Sequence, residues 1–224
     1  MRVLSQVDRS PVALSATGLA KLYGGTLALV GVDLSARSGE LLLIRGANAS
    51  GKTTLLRLLA GLTSPSAGQI RITCEAGTRP TIAFVGHAGH LFADLTPEEN
   101  LVLPARLAGA DATAALSILD RLGVADVARI RCRQLSSGTV RRVALARGLA
   151  TDPDVLIADE PFAGLDADAA NRVAVVLGEA RDQGRMVIIA SHEDARSRAL
   201  ADRSFELVGG RFAGAEPTTV VQSP

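Results

Sequence analysis

The stretch 46–53, Gly-Ala-Asn-Ala-Ser-Gly-Lys-Thr, is the feature that most constrains how this chain can fold. It fits the pattern GxxxxGK[ST], follows an apolar run at 41–44 and precedes a stretch with helical spacing. Glycines in such a loop allow positive φ, so that backbone amides and the start of the next helix face an anion. The pattern predicts a nucleotide phosphate loop, in which Lys52 reaches the β- and γ-phosphates and the Thr53 hydroxyl holds magnesium. The residues expected to contact the nucleotide here are Gly46, Ala47, Asn48, Ala49, Ser50, Gly51, Lys52, Thr53 and Thr54.

Four short apolar runs, at 41–44, 81–85, 155–158 and 186–190, lack the polar alternation of a half-exposed strand. This is typical of parallel strands buried on both faces. The leucines at 55, 58, 59 and 62 recur at three- and four-residue spacing and predict an amphipathic helix that ends near the turn at 64–68. Strands alternating with helices predict an α/β core with a mainly parallel sheet and a ligand site at the carboxyl ends of the strands.

Other segments predict what surrounds this core. Helical patterns at 97–108, 111–122 and 124–128, with no strong strand between them, indicate a small helical lobe over about 87–137. Segment 12–33 contains β-like pieces around a Gly-Gly turn, and 204–212 predicts a hairpin around Gly209 and Gly210. We expect one domain over 12–212, with flexible termini at 1–11 and 213–224.

Composition excludes several classes of function. The 224 residues, 47% of them apolar, are ample for a buried core, and a net charge of +1 offers no basic surface for nucleic acid. Cys74 and Cys132 lack metal-site spacing and are expected to be unpaired thiols in a reducing compartment. The first ten residues do not resemble a signal peptide, and charged residues interrupt every long apolar window. We therefore expect a cytoplasmic chain whose contact with a membrane depends on a partner.

The strand predicted at 155–158 ends in two acids, Asp159 and Glu160. Because the phosphate loop should lie at the same sheet edge, Asp159 is expected beside magnesium, usually through a coordinated water. Glu160 is then the candidate base that orients or deprotonates the attacking water. Polar residues commonly terminate strands, so the acids are informative only together with the phosphate loop. The loop and acids by themselves leave kinases, GTPases and many ATPases open.

A second helix start, Leu-Ser-Ser-Gly-Thr at 135–139, narrows the choice among kinases, GTPases and ATPases. Ser136 lies 23 residues before Asp159, and Ser136 with the Gly138 backbone opens a helix whose dipole favours an anion. Alone this would be an ordinary capped helix. Because this motif follows the phosphate loop and precedes the two acids, however, the chain resembles the ATP-binding cassette family, and 135–139 looks like that family's LSGGQ signature. The resemblance implies that Ser136, Ser137 and Gly138 contact a nucleotide bound to a second cassette.

The resemblance extends over about 12–212 and implies roles for further residues. Tyr23 is placed where the family has an aromatic ring that stacks on adenine, and Asp166, in Ala-Gly-Leu-Asp at 163–166, matches the loop that communicates across the dimer. His192 matches the switch histidine that contacts the γ-phosphate. The chain departs from the family where Ser137, Thr139 and His87 replace the usual glycine, glutamine and Q-loop glutamine. Two roles stay open for His87: it contacts water or magnesium at the nucleotide, or it only couples the helical lobe to the core.

The implied function is that of an ATPase subunit that binds and hydrolyses Mg-ATP and drives a membrane transporter. Its expected partners are an integral membrane subunit and a second cassette, identical or not, and its expected location is the cytoplasmic face of the membrane. Two alternatives stay open: a soluble cassette ATPase without a transport role, and a nucleotide-binding regulatory module without turnover.

A narrower resemblance involves His87, the segment 95–101 and the segment 141–147. Together they are similar to the haem-exporter ATPases of cytochrome c maturation. Ala88 departs from that group, which has a polar residue at this position.

Overall fold

The computed structural model describes residues 9–86, 89–192 and 195–214, together with the backbone of 218–219. The strands are β1 (Val12–Tyr23), β2 (Thr26–Arg37), β3 (Leu41–Arg45), β4 (Ala67–Cys74), β5 (Ile82–Val85), β6 (Val155–Asp159), β7 (Met186–Ser191), β8 (Arg203–Val208), β9 (Arg211–Phe212) and β10 (Thr218–Thr219). The helices are α1 (Lys52–Leu59), α2 (Pro97–Leu107), α3 (Ala112–Arg121), α4 (Ser137–Ala150), α5 (Ala167–Asp182) and α6 (Ala195–Leu200).

The larger sheet has the order β10-β8-β3-β7-β6-β5, with β9 paired to β8. The strands from β8 to β5 run parallel, so the carboxyl ends of β3, β6 and β7 meet at one edge. In β3, Leu41 and Leu43 belong to the apolar cluster on one face, while Leu42 and Ile44 belong to the cluster on the other. Burial on both faces explains why β3, β6 and β7 lack polar alternation, as predicted. The prediction is wrong for the run at 81–85, because β5 lies at the edge of the sheet and Ile82 is 36% exposed.

A smaller antiparallel sheet, β2-β1-β4, covers one face together with α1. Strands β1 and β2 form a hairpin whose turn is Gly24-Gly25, both with positive φ. On the other face, α2 and α3 share one apolar cluster with α4, α5 and the parallel strands. The fold is thus α/β, with a mainly parallel sheet, an antiparallel β subdomain and a helical lobe, and the predicted fold class is confirmed.

Helix α1 ends earlier than the leucine spacing predicted. Gly61 adopts φ +70°, its amide donates to Leu58 O at 3.0 Å, and the amide of Leu62 donates to Arg57 O at 2.9 Å. These two bonds form a Schellman motif, which reverses the chain after Leu59. Leu62 is consequently 54% exposed and does not extend the buried stripe of the helix. The segment predicted as helical at 124–128 is likewise shorter, a single 3₁₀ turn at Ala125–Val127.

The structure also bears on the termini, the thiols and the membrane. The expectation of flexible termini falls largely outside the described residues, but within them Arg9 forms ion pairs with Asp152 and Asp154.

Both cysteines are free thiols, and burial, with a smaller contribution from Glu99, raises the pKa of Cys132. Over the described ranges, every helix is too short or too polar to cross a lipid bilayer.

Candidate functional site

The loop between β3 and α1 requires glycine at both ends of its motif. A Cβ on Gly46, at φ +154°, would lie 2.3 Å from Leu207 O, and one on Gly51, at φ +107°, would lie 2.6 Å from Ala28 O. Either contact is well inside van der Waals distance, so the backbone can follow this path only without side chains at these positions. Gly51 caps α1, and the first amides of the helix, which have no intrahelical acceptor, face the space above the loop.

Ala49 adopts the left-handed conformation, with φ +63°, in the exposed part of the same loop. This conformation costs a residue with a Cβ about 1–2 kcal/mol relative to its ordinary backbone regions. A small side chain keeps the cost low, and a β-branched one would increase it. The loop therefore carries local strain directly at the cavity that it lines.

Substitutions at Ala49 test this strain. We expect Ala49→Gly to raise the free energy of unfolding by up to about 1 kcal/mol, and Ala49→Val to lower it by about 1–2 kcal/mol. Ala47→Val, in the same exposed loop but outside the left-handed region, is the matched control. Thermal unfolding without nucleotide measures all three proteins. Equal losses for the two valine variants would show that the conformation of Ala49 carries no strain.

Lys52 opens α1 and is 7% exposed. Its ammonium donates to Gly46 O at 2.7 Å and to Ala47 O at 3.1 Å, and it lies 3.7 Å from the Glu160 carboxylate. The first two bonds hold the cation within the loop, at the position from which it can reach a bound phosphate. The third contact joins the loop to the end of β6.

The next residue in α1, Thr53, reaches across to β6. Its hydroxyl donates to Asp159 Oδ2 at 2.7 Å, and the other carboxylate oxygen, Oδ1, is buried without a hydrogen-bond partner among the described residues. A buried carboxylate oxygen without a partner is costly unless something binds it. A hydroxyl beside a free carboxylate oxygen is the kind of oxygen pair that suits a hard divalent cation. Among the residues that the structure describes, no three histidine, cysteine, aspartate or glutamate side chains form a group that could hold a metal ion.

Glu160 adopts φ +52°, a conformation that is uncommon for a residue with a side chain. Its amide donates to Ala190 O at 2.9 Å, and its carbonyl accepts from Ala163 N at 3.2 Å, so neighbouring backbone holds the turn. One carboxylate oxygen accepts from His192 N at 3.2 Å. Backbone strain maintained by the surroundings is characteristic of functional sites. Here it accompanies the contact of the Glu160 carboxylate with the backbone after β7.

An open cavity of about 640 Å³ lies above these strand ends. Most of the predicted phosphate-loop residues line it, together with the acids and the histidine predicted from sequence. Two further lining residues, Ala28 and Ala163, were not predicted to line the site: Ala163 was identified only as part of the loop at 163–166, and Ala28 belongs to no motif. The lining residues are Ala28, Asn48, Ala49, Ser50, Gly51, Lys52, Thr53, Thr54, Asp159, Glu160, Ala163 and His192.

Tyr23 is not among the residues that line this cavity. It ends β1, is 47% exposed, and has the Lys21 ammonium 5.0 Å from its ring centroid. It lies at the tip of the hairpin whose second strand carries Ala28, so its stacking on adenine stays a prediction. His87 lies outside the described residues.

The predicted signature also lies apart from the cavity. Ser136 caps α4 and, with Ser137, is exposed, while a Cβ on Gly138 would lie 3.4 Å from both Gly164 O and the Leu165 side chain. Asp166 caps α5, accepting from Ala169 N at 2.8 Å. The signature and the loop at 163–166 therefore pack together, but the signature residues contribute nothing to the walls of the chain's own cavity.

Known proteins share this fold and much of this sequence. A family model described as "ABC transporter" matches residues 29–163. Aliphatic sulfonates import ATP-binding protein SsuB 2 of Paraburkholderia xenovorans is 40% identical over 212 residues, covering 93% of this chain and 82% of that protein. Cytochrome c biogenesis ATP-binding export protein CcmA of Pseudomonas savastanoi pv. phaseolicola is 40% identical over 205 residues, covering 88% and 96%. A dimeric ATP-binding cassette in a post-hydrolysis state, bound to ADP and Pi, has a TM-score of 0.84 at 26% identity, covering 94% and 100%.

Proposed function

The chain belongs to the ABC transporter family of ATPases, and we propose that it powers a membrane transporter in which a separate membrane subunit carries the substrate. The observation that carries this proposal is the convergence of Lys52, Asp159, Glu160 and His192 on one cavity. A cation, a metal-type carboxylate and a candidate base within one cavity are the groups that phosphoanhydride hydrolysis requires.

In this proposal the chain's own groups divide the work of hydrolysis. Lys52 and the amides at the start of α1 bind the β- and γ-phosphates and stabilise the charge that develops on them. The Glu160 carboxylate takes a proton from the attacking water, and its contact with His192 N fixes its orientation. His192 follows β7 at the cavity wall, and its proposed role is to contact the γ-phosphate.

We also propose Mg²⁺ as the metal at this site. Thr53 Oγ1 and Asp159 would hold the ion, Asp159 through a coordinated water. The buried Oδ1 of Asp159, which has no hydrogen-bond partner among the described residues, supports this assignment. When bound, the ion would offset the negative charge of the phosphates. A site with so few protein oxygens suits magnesium, which keeps several waters and phosphate ligands.

A second cassette completes the proposed site. The exposed Ser136 and Ser137 and the Gly138 backbone lie outside the chain's own cavity, at the start of a 14-residue helix that favours an anion. We propose that they contact ATP bound to a partner cassette, with Asp166 beside the same interface. The dimeric relative with ADP and Pi supports this arrangement.

The partner subunit can be tested in the native organism. A tagged chain should fractionate with membranes and, after detergent extraction, co-purify in fixed ratio with a polytopic membrane protein. Recovery of the whole population in the soluble fraction, without such a partner, would favour a soluble cassette without a transport role. ATP hydrolysis by the purified chain separates both possibilities from a regulatory module without turnover.

A narrower proposal concerns the transported substrate. The relatives named for sulfonate import and for cytochrome c biogenesis are both 40% identical to this chain. The resemblance of the segments 95–101 and 141–147 to the haem exporters favours haem export for cytochrome c biogenesis. Deletion of the gene should then abolish haem-stained c-type cytochromes, whereas loss of growth on alkanesulfonates as the sulfur source would instead assign the chain to sulfonate import.

A further inference from the structure

The start of α4 contains a pair of hydroxyls that the family signature does not require. Ser136 Oγ lies 2.9 Å from Thr139 Oγ1, and it also accepts from the backbone amide of Thr139 at 3.3 Å. Thr139 stands where the family most often has glutamine, so this contact belongs to the chain's own variant of the signature. It directly involves the hydroxyl that the proposed function assigns to the partner's nucleotide.

The Thr139 hydroxyl has a cationic neighbour on the next turn of α4. Arg142 Nη2 donates to Thr139 Oγ1 at 3.5 Å, a long contact. The same guanidinium is fixed by shorter bonds, because its Nη1 donates to Leu122 O at 3.0 Å and to Gly123 O at 2.9 Å. These carbonyls follow the end of α3, where a cation is favourable. Arg142 is thus held by the helical lobe and presents a donor to Thr139.

The donors and acceptors around this pair restrict where the hydroxyl protons point. A hydroxyl has one proton and two acceptor positions, and Arg142 takes one acceptor position of Thr139 Oγ1. The 2.9 Å contact fits a donor on either side, and in one arrangement Thr139 Oγ1 accepts from Arg142 and donates its own proton to Ser136 Oγ. Ser136 Oγ then accepts twice, from the amide and from the hydroxyl of Thr139, and its proton is left to donate outward. In the opposite arrangement Ser136 would donate to Thr139, and its proton would be unavailable to a phosphate.

We propose that Thr139 is a positioning residue that, together with Arg142, orients the Ser136 hydroxyl as a donor to the γ-phosphate on the partner cassette. The inference rests on the proposed function, since it requires a nucleotide held between two cassettes. It predicts that Thr139 affects assembly with ATP and not the binding of ATP to a single chain, because Thr139 lies outside the chain's own cavity.

The test uses the full chain in the Glu160→Gln background, in which bound ATP is retained. Sedimentation equilibrium with saturating Mg-ATP gives the dimer dissociation constant for the parent, Thr139→Val, Thr139→Ser, Ser136→Ala and the double variant Ser136→Ala with Thr139→Val. Valine keeps the shape of threonine and replaces the hydroxyl with a methyl group. Serine keeps the hydroxyl and is the conservative rescue.

Thr139→Val should raise the dimer dissociation constant about tenfold for each bound nucleotide. A symmetric dimer holds two nucleotides, so its dissociation constant should rise about a hundredfold. Thr139→Ser should stay within about threefold of the parent. In the Ser136→Ala background, Thr139→Val should add little, because its target hydroxyl is already gone. ATP affinity of the single chain, measured at a concentration below dimerisation, should be unchanged.

Three results would overturn the inference. Equal dimerisation of the parent and Thr139→Val would show that the hydroxyl has no role. An additive effect in the double variant, accompanied by a matching loss of thermal stability, would make Thr139 a structural residue of α4. If the Glu160→Gln parent does not dimerise with ATP, the shared nucleotide site itself is wrong, and this inference is wrong with it. That result is recognisable because it is obtained without any change at Thr139.

Discussion

Lys52→Ala is expected to reduce ATP turnover by about 10²–10³-fold and to weaken nucleotide binding. The substitution removes the cation that the phosphate loop presents, and it also removes the bonds that tie the loop to its own carbonyls at Gly46 and Ala47. Hydrogen bonds from an ionised donor to phosphate are among the strongest that a side chain makes. Hydrolysis and nucleotide affinity should be measured together on the same preparation.

Two further variants separate charge from shape at this position. Lys52→Met keeps the length and apolar stem of the buried side chain and should lose activity as Lys52→Ala does. Arg57→Ala removes an exposed cation from the last turn of the same helix and should keep wild-type turnover. A Lys52→Ala protein with wild-type turnover would mean that the loop does not serve the phosphates.

Glu160→Gln should reduce ATP hydrolysis by about 10²–10⁴-fold, the usual contribution of a general base, while ATP still binds. The glutamine oxygen can accept from His192 N as the carboxylate does, so the local structure should persist. The amide cannot take a proton from water, and that step is lost. Single-turnover hydrolysis and equilibrium ATP binding distinguish the two effects.

Glu206→Gln is the control for this change. Glu206 is an exposed carboxylate on β8, paired with Arg45 at 3.8 Å and absent from the cavity wall. It should hydrolyse ATP at the wild-type rate. Normal hydrolysis by Glu160→Gln would remove Glu160 from the role of base and direct attention to another proton acceptor in the cavity.

The sequence predicted the parallel sheet because burial on both faces determines both the apolar pattern of a strand and its place in the fold. Strands buried on both faces must be apolar at every position, so β3, β6 and β7 were recognisable, and the motifs attached to their ends had to meet at one edge. The positions of Lys52, Asp159 and Glu160 at one cavity follow from that topology.

Other features depended on contacts that no periodicity encodes. The exposed position of Leu62 results from a backbone reversal at Gly61, whereas the leucine spacing continued past it. Ala28 reaches the cavity from the antiparallel sheet, and an alanine carries no sign of such a role. The bond between Ser136 and Thr139 depends on two rotamers and on an arginine anchored to another helix. Such details require the packed structure.

The central claim is that two copies of this site close around ATP, with the loop of one chain and the signature of the other on the same nucleotide. The most direct measurement is the light-scattering mass of Glu160→Gln in Mg-ATP and in Mg-ADP, beside the same protein carrying Ser136→Arg. We predict a mass about twice the 23.1 kDa of one chain with ATP, the mass of one chain with ADP, and no dimer with Ser136→Arg although it still binds ATP. A Glu160→Gln protein that stays monomeric in saturating ATP would contradict the claim for two identical chains.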